Sequence, residues 1–359
     1  MLSRYGWTAR HEADFAPYAA QGLKAGRVVV QQRGGYRLIT EDGEAWAQAA
    51  GRLMKSREEM ARPVAGDWVA FEPRKPPEPL FVQHVLPRAT AFVRKAAGRG
   101  VHAQVVAANV DVAFLVTSLN SDLNLRRLER YLATTYESGA RPVIVLTKAD
   151  LAEEVDSFVA QVRTISGDSP VLPISAKRGE GLEAVAAHLE PGRTAVLLGM
   201  SGAGKSTLLN ALAGSERMST GEIREGDERG RHTTTHRELV LLPSGGLILD
   251  TPGMRELGLW EADSGVAAVF DDIEQLVAEC RFSDCSHGGE PGCAVRAALA
   301  DGSLDPDRWA SFQKLQAELA QEPRRDGPRG GQESRKASAG RPKPGRAWAT
   351  PKRQGSAED

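Results

Sequence analysis

The spacing of hydrophobic positions changes along the chain, and the first part has short, closely spaced apolar stretches. They lie at 27–31, 36–40, 44–48, 67–71 and 81–86, and Glu41-Asp42-Gly43 between two of them is a hairpin signal. A short helix is predicted before them, at 15–21. Five short strands in about ninety residues predict a small closed barrel. An OB-type barrel, which would bind oligonucleotides across one face, is favoured, and an SH3-like barrel is the alternative.

After a Gly-, Arg- and Ala-rich linker at 94–100, longer apolar strands alternate with amphipathic helices. The alternation predicts a mostly parallel sheet with helices on both faces. The predicted strands are 110–118, 142–147, 170–175, one beginning at Thr194, 238–242 and 246–250, and the predicted helices are 123–138, 152–165, 181–190 and 206–213.

Beyond residue 260 the pattern becomes helical and then loses its apolar positions. Helices are predicted at 266–277, 294–300 and 306–320, and the Pro-, Gly-, Arg- and Lys-rich tail is predicted to be disordered in isolation. The predicted domains are an N-terminal OB-type barrel with its linker at 1–100, a central α/β domain at 101–260, a helical domain at 261–320 and a basic tail at 321–359.

The charge of the 359 residues is nearly balanced overall, at a formal net charge of −1, but it is unevenly distributed. Residues 1–100 carry +6, residues 261–320 carry −8 and residues 321–359 carry +5. Basic ends indicate a polyanionic partner and add weak support for the OB-type barrel. Without a bilayer-spanning apolar stretch or a signal-peptide core, the chain is expected to be cytoplasmic, with no membrane partner, and monomeric.

One glycine-rich stretch lies between an apolar strand and a helical pattern and matches G-x-x-x-x-G-K-[ST]. In such a phosphate-binding loop, backbone N–H groups and the positive end of the following helix face the phosphates. Lys205 is expected to reach the β- and γ-phosphates, and the Ser206 hydroxyl to bind Mg²⁺. The stretch is Gly199, Met200, Ser201, Gly202, Ala203, Gly204, Lys205, Ser206 and Thr207.

Two further motifs follow predicted strands and indicate guanine as the base. Thr147-Lys148-Ala149-Asp150 resembles the [NT]-K-x-D motif, in which the carboxylate accepts from N1–H and N2–H₂ of guanine and the lysine lies over the base. A capping role for Asp150 is the structural alternative. Ser175-Ala176-Lys177 ends the next strand, where backbone N–H groups would contact the guanine oxygen.

A third set carries the predicted switches. Asp250-Thr251-Pro252-Gly253 resembles D-x-x-G, with Asp250 holding Mg²⁺ through water and the Gly253 N–H meeting the γ-phosphate; a simple β-turn is the alternative. Thr234 is predicted to complete the magnesium shell, with Thr233 as the alternative. Guanine motifs precede the phosphate loop here, the reverse of the usual order, so the domain is predicted to be circularly permuted.

Three cysteines and a histidine lie within fourteen residues, in the pattern C-x4-C-x-H-x5-C. Such a closed Cys₃His set is typical of structural zinc rather than of a disulfide framework or a catalytic metal. One zinc ion per chain is predicted, bound by Cys280, Cys285, His287 and Cys293.

These motifs together, over about residues 25–320, resemble the RsgA family of small ribosomal subunit biogenesis GTPases. The resemblance implies GTP hydrolysis, slow alone and stimulated by the small ribosomal subunit, and binding to its rRNA in late maturation. It also implies that the GTP or GDP state controls subunit binding and release. Met254 occupies the position of the usual catalytic glutamine, so the resemblance points to His232, together with Lys205, as catalytic. His232 has two alternative roles, as a surface residue of the switch or as a contact to an RNA phosphate.

Two other functions remain open from the sequence. One is a nucleotide-gated RNA-binding factor with little turnover of its own. The other is an ATPase or nucleoside kinase of the phosphate-loop class, against which Asp150 argues because adenine lacks the paired donors that a carboxylate accepts.

Overall fold

The N-terminal strands close into a five-stranded barrel in this computed structural model, which describes residues 1–32, 34–55, 59–75, 77–95, 103–119, 123–214, 237–250 and 262–321. The strands pair in the order β1-β2-β3-β5-β4, and β4 returns to β1. β3 and β5 are parallel, whereas the other pairs are antiparallel. This is the OB arrangement, so the favoured barrel is confirmed. The strands are β1 (Lys24–Gln32), β2 (Gly35–Thr40), β3 (Gly43–Ala49), β4 (Trp68–Glu72) and β5 (Leu80–Val85).

Inward-facing apolar side chains fill the barrel, with Val28, Leu38, Val69 and Val82 fully buried. Helix α1 (Ala9–Ala19) precedes β1, and the short α2 (Gly51–Lys55) follows β3. α1 begins six residues before the predicted helix because Thr8 and His11 form a capping box at its N-terminus.

The linker predicted at 94–100 overlaps a β-strand that the sequence did not reveal. Strand β6 (Ala91–Lys95) pairs in an antiparallel hairpin with β7 (Ala103–Ala108), so Arg94 lies in a strand. The hairpin was missed because alanine, arginine and glycine have weak strand preference, and burial of Phe92 and Val105 stabilises it instead.

The central sheet is mostly parallel, as predicted, in the order β10-β9-β8-β11-β13-β12. Among the described strands of this central sheet, β12 is the one that runs antiparallel, to its neighbour β13. Alternate residues of the fully buried β8 enter different cores: Ala113 and Leu115 pack with α3 and α4, whereas Phe114 packs with α5 and α6. Helices therefore cover both faces. The elements are β8 (Val112–Ser118), α3 (Leu125–Ser138), β9 (Arg141–Thr147), α4 (Val155–Ser166), β10 (Val171–Pro173), α5 (Leu182–Ala186), β11 (Thr194–Leu198), α6 (Lys205–Ala213), β12 (Arg237–Leu241) and β13 (Leu247–Asp250).

The barrel and the central sheet are joined by strand pairing and by one buried arginine. β1 pairs with β12 antiparallel, so the two sheets are continuous. Arg27 of β1 is 2% exposed and donates to the carbonyls of Tyr5, Gly66 and Asn109 and to Thr194 Oγ1 at 2.9 Å. Burial lowers its pKa to about 10, which leaves it charged at neutral pH.

The C-terminal segment contains α7 (Asp263–Val269), α8 (Asp271–Ala278), α9 (Ala294–Asp301) and α10 (Pro306–Gln321). The helix predicted at 266–277 is divided at Phe270. A buried carboxylate fixes this segment to α3: Glu129 accepts from Arg126 at 2.6 Å, Arg308 at 2.9 Å and Ser311 at 2.6 Å. Among the helices of the described residues, none is both long and apolar enough to cross a membrane.

Replacement of Arg27 by methionine should destabilise the protein strongly. In the variant Arg27→Met the carbonyls of Tyr5 and Asn109 and the Thr194 hydroxyl lose the guanidinium donor, while the Gly66 carbonyl keeps the Asn109 side-chain amide as a donor. The cost should be about 3–5 kcal/mol. Urea unfolding followed by tryptophan fluorescence measures it. The control Arg37→Met removes an arginine whose ion pair with Glu44 is about half exposed on both sides, and should change the free energy of unfolding by less than about 1 kcal/mol. Equal effects of the two substitutions would contradict the role of Arg27.

Candidate nucleotide site and metal centre

The predicted nucleotide-binding loops meet at one edge of the central sheet. β9, β10 and β11 are parallel, and each is followed directly by one of the motifs. Because parallel strands end at the same edge, their carboxyl ends present the motif loops together, where open α/β sheets bind ligands. Asp250 ends β13, the neighbour of β11, at the same edge.

The phosphate loop leaves β11 and enters α6 through two glycines with conformations that other residues rarely adopt. Gly199 passes so close to β8 that a Cβ atom there would lie 2.2 Å from the carbonyl oxygen of Val116. Gly204 precedes the first helical residue with a φ of 93°. Only residues without a Cβ accommodate this path, which directs the N-terminus of α6 toward the strand edge.

Lys205 and Ser206 begin α6 and are both half-buried. The Lys205 ammonium donates to the carbonyls of Gly199 at 2.8 Å and Met200 at 2.6 Å, so it bends back over its own loop. The chain positions this charge at the loop, where it can meet an anion. A hydroxyl at Ser206 and a carboxylate at Asp250 on the neighbouring strand end are oxygen donors of the kind that Mg²⁺ prefers.

One threonine links the two predicted binding loops. Thr147 is 2% exposed, and its hydroxyl donates to the carbonyl of Ala203 in the phosphate loop at 2.7 Å, with Thr117 O at 3.3 Å as a second acceptor. β8 lies between β9 and β11, so this contact crosses the end of one strand. The sequence placed Thr147 in the guanine motif but did not reveal that it anchors the phosphate loop.

Backbone conformation and hydrogen bonds fix the remaining residues of the guanine motif in place. Lys148 has a left-handed φ of 60°, and the Ala149 amide donates to the Ile174 carbonyl at 3.0 Å, which holds the loops after β9 and β10 together. A hydrogen bond from the Ser175 side chain is the main cause that lowers the pKa of Asp150. An aspartate carboxyl is ionised at neutral pH in any case, and this hydrogen bond favours the same acceptor form. Ser175 itself is 1% exposed, and the backbone turn through Ala176 and Lys177 follows it.

The predicted residues His232, Thr233, Thr234 and Gly253 lie outside the described residues, so their predicted roles stay predictions. β12 and β13, which border the two segments containing them, pair with each other and lie on the β11 side of the sheet.

The predicted zinc ligands form one cluster. Cys280 Sγ lies 4.0 Å from Cys293 Sγ and 3.6 Å from His287 Nδ1, which is 3.5 Å from Cys293 Sγ. All four ligand atoms, including that of Cys285, lie within 4.8 Å of one another. A tetrahedral zinc ion with bonds of about 2.3 Å to sulfur and 2.0 Å to nitrogen requires edges of roughly 3.6–3.8 Å, so the cluster fits this ion.

The loop between these ligands is shaped by residues that the motif did not identify. His287 has a left-handed φ of 59°, and its ring meets Trp309 of α10 edge-on at 5.5 Å. The carboxylate of Glu290 accepts from the Ser286 hydroxyl and from three backbone amides, and these bonds hold its pKa well below the usual value. Glu290 therefore fixes the loop without occupying a ligand position.

The chain is closely similar to curated proteins over most of its length. The small ribosomal subunit biogenesis GTPase RsgA of Opitutus terrae is 49% identical over 339 residues, covering 91% of this chain and 92% of that protein. The chain belongs to the RsgA family. RsgA of Streptomyces avermitilis is 47% identical over 94% of this chain and 93% of its own length. The family model described as RsgA GTPase matches residues 85–260.

Two solved structures share the fold. YjeQ from Thermotoga maritima has a TM-score of 0.61 at 26% identity, covering 84% of this chain and 100% of that one. YloQ, described as a circularly permuted GTPase, has a TM-score of 0.56 at 24% identity, covering 84% of this chain and 97% of its own. The prediction of a barrel, a permuted GTPase fold and a helical C-terminal segment in this RsgA family member is thus confirmed.

Removal of the Thr147 hydroxyl should loosen the phosphate loop. Thr147→Val keeps the side-chain volume but leaves the buried Ala203 carbonyl without its donor, and guanine-nucleotide affinity should fall about tenfold. Titration with a fluorescent GDP analogue measures it. Thr164→Val is the matched control, because the exposed Thr164 hydroxyl donates within α4, to Gln161 O at 2.8 Å. Equal affinity of the Thr147 and Thr164 variants would exclude the anchoring role.

Proposed function

We propose that this RsgA family member hydrolyses GTP during late maturation of the small ribosomal subunit, and that its GTP or GDP state controls binding to the subunit and its rRNA. The observation that carries this is the Thr147–Ala203 contact, which joins the base-reading and phosphate-binding loops into one site. The proposal is also supported by similar proteins, which share the name small ribosomal subunit biogenesis GTPase.

In this proposal the residues of 199–207 bind the phosphates through backbone N–H groups, with Lys205 neutralising charge on the transferred group. Ser206 and Asp250 hold Mg²⁺, together with Thr234. The bound Mg²⁺ would supply stabilisation of the charge that develops on the phosphate oxygens. The chain's own contribution is the fixed loop path at Gly199 and Gly204.

Base selection is proposed for the loops after β9 and β10. The ionised Asp150 accepts from guanine N1–H and N2–H₂, and Lys148 lies over the base. The loop at Ser175-Ala176-Lys177 presents its backbone to the guanine oxygen. Support comes from the position of Asp150 directly after β9, at the strand edge where the loop after β10 also lies. A carboxylate there accepts only, and adenine lacks the paired donors that it would need.

Hydrolysis is proposed to use His232, with Gly253 contacting the γ-phosphate. These assignments rest on the positions of the two residues in the sequence motifs. The variant His232→Ala should keep its affinity for GTP but lose the turnover that the subunit stimulates. Met254 stands where many GTPases have a glutamine, and methionine cannot orient the attacking water. Turnover should therefore be slow without the small ribosomal subunit and faster with it.

One structural zinc ion per chain is proposed at Cys280, Cys285, His287 and Cys293. Desolvation and the neighbouring Cys293 and Cys280 side chains raise the pKa of Cys285 to about 11. Several thiolates in one cluster repel one another, so the ionised set needs a cation. The donor set and its spacing suit zinc.

For the organisation of the chain we propose domains at 1–100, 101–260, 261–320 and 321–359, acting as a monomer in the cytoplasm, where ribosomal subunits mature. The hairpin of β6 and β7 connects the first two of these parts.

The decisive test is GTP turnover titrated with small ribosomal subunits. Subunits should raise the turnover rate of the wild type. In Asp150→Asn the amide donates where the carboxylate accepted, so subunit-stimulated turnover should move from GTP to xanthosine triphosphate. The control Asp156→Asn changes another exposed carboxylate of the same domain, on α4, and should leave GTP preference intact. Stimulation absent from the wild type would end the proposal, and unchanged GTP use by Asp150→Asn would remove Asp150 as the base reader.

Substitution of one thiol should remove the metal. Cys285→Ser replaces a strong ligand with a weak one, so metal analysis should find no zinc, and hydrogen exchange should show loss of protection in α8 and α9, since structural zinc supplies folding energy. The neighbouring exposed residue offers a control, Asp284→Asn, which should keep one zinc ion per chain. Well-folded wild-type protein purified without zinc would refute the assignment.

A further inference from the structure

A cavity lies at the edge of the central sheet opposite the nucleotide site. It encloses 420 Å³, within the range of about 300–1,000 Å³ typical of ligand pockets. Its lining includes Asp111, which precedes β8, and Thr194, which begins β11, whereas the phosphate loop leaves the other end of β11. The length of β8 separates the two edges by about 20 Å. We call the cavity the junction pocket, defined by Trp7, Arg10, His11, Arg27, Asp111 and Arg193.

Three parts of the chain meet at the junction pocket. The N-terminal segment contributes Trp7 and His11, the barrel contributes Arg27 of β1 and Trp68 of β4, and the central sheet contributes Thr194. The Trp7 ring stacks on His11 at 5.6 Å and meets Trp68 edge-on at 4.9 Å, which forms a firm wall. Every lining residue belongs to the described ranges and is more than five residues along the chain from any segment outside them.

The buried guanidinium of Arg27 keeps one donor to spare. Four of its five N–H groups bond to the three carbonyls and the hydroxyl that fix it at the domain junction. The fifth, on Nη1, has no acceptor among the described residues. Nη1 lies beside Gly6, another lining residue, where an added Cβ would be 3.3 Å from it.

The acids near Arg27 are already engaged by other arginines. Asp111 and Asp67 act on its pKa through space, and their effect is smaller than that of burial. Asp111 accepts from Arg193 at 2.7 Å and from a backbone amide at 2.8 Å, and Asp67 accepts from Arg88 at 2.7 Å. Three guanidinium groups therefore share two carboxylates, which leaves an excess of positive charge at the pocket.

His11 adds a neutral donor to the lining. Its Nδ1 atom accepts from the Thr8 amide at 3.1 Å, so the neutral ring carries its proton on Nε2. Burial, followed by the charge of Arg27, lowers the pKa of His11, so the ring is neutral at pH 7. No described residue accepts from Nε2.

The acids of α1 do not enter the junction pocket. Asp14 lies 3.6 Å from Arg10, and Glu12 accepts from the indole of Trp7 at 2.8 Å, but neither acid belongs to the lining. Asp111 is the carboxylate in the described lining, and both of its oxygens are taken. The pocket thus offers donors and positive charge with few free acceptors.

We propose that the junction pocket binds a small free oxyanion, a phosphate or carboxylate compound, through the donors of Arg10, His11, Arg27 and Arg193. Phosphate and carboxylate oxygens match guanidinium donors in charge and geometry. The bound molecule contacts the N-terminal segment, the barrel and the central sheet together, so it stabilises their junction. The proposal does not depend on the function proposed for the nucleotide site.

The test uses the whole chain saturated with GDP and Mg²⁺, so that the phosphate loop is occupied. Calorimetric titration with inorganic phosphate, and separately with citrate, should show saturable binding of at least one of them at one site. The melting temperature of the protein should rise with the concentration of the anion that binds.

Two variants locate the binding. The double variant Arg10→Gln, Arg193→Gln should weaken it at least about tenfold, because two charge-assisted hydrogen bonds are lost, whereas the corresponding double lysine variant should keep most of the affinity. Ala89→Phe fills the pocket from an exposed lining position without removing a charge, and should abolish binding.

The matched control changes two arginines elsewhere on the barrel. Arg37→Gln, Arg74→Gln removes two partly exposed guanidinium groups that are also paired with carboxylates, and should leave anion affinity unchanged. Thermal unfolding without anion, together with the affinity for a fluorescent GDP analogue, verifies that each variant is folded.

Three results would overturn the proposal. The first is a wild type that binds neither anion at millimolar concentration. The second is wild-type anion affinity in both the double glutamine variant and Ala89→Phe, which would place the anion elsewhere. The third is a double glutamine variant that loses binding of a labelled oligoadenylate but not of the free anions, because these arginines would then serve the phosphates of a nucleic acid.

Discussion

The pairing of β8 with β9 on one side and β11 on the other is the constraint on which the nucleotide site depends. β8 is buried along its whole length and has no functional motif of its own, yet it sets the distance between the two loops that flank it. Thr147 at the end of β9 lies level with Ser118 of β8, whereas β11 ends at Leu198, level with Leu115. The phosphate loop continues past the end of β11, and its Ala203 carbonyl accepts from the Thr147 hydroxyl. A permuted chain order is compatible with this site, since strand adjacency rather than sequence order brings the loops together.

The same sheet connects the site to the rest of the chain. Pairing of β12 with β1 extends the central sheet into the barrel, and Arg27 bonds both parts from a buried position. On the other side, the buried Glu129 joins α3 to α10 through Arg308 and Ser311. A change of nucleotide would thus act on barrel, sheet and C-terminal helices that are already in direct contact, without requiring a long path of coupling.

The C-terminal Cys₃His cluster illustrates how the chemistry of a donor set indicates the ligand it suits. At the cluster, three thiols and an imidazole converge at distances that suit a cation, and Glu290 closes the loop around them. The ligand that the cluster suits therefore follows from the chemistry and spacing of its donors.

Local signals in the sequence determined a large part of this protein. Glycine and lysine spacing defined the loop at 199–207, ligand spacing defined the set from Cys280 to Cys293, and strand periodicity defined the barrel and the parallel sheet, because each depends on neighbours along the chain. Tertiary structure alone decided the OB strand order, the β6–β7 hairpin and the break at Phe270. It also decided the roles of Thr147 and Arg27. These depend on which residues distant in sequence become neighbours, and a side chain's partner across a sheet or a domain junction leaves no periodic or compositional trace.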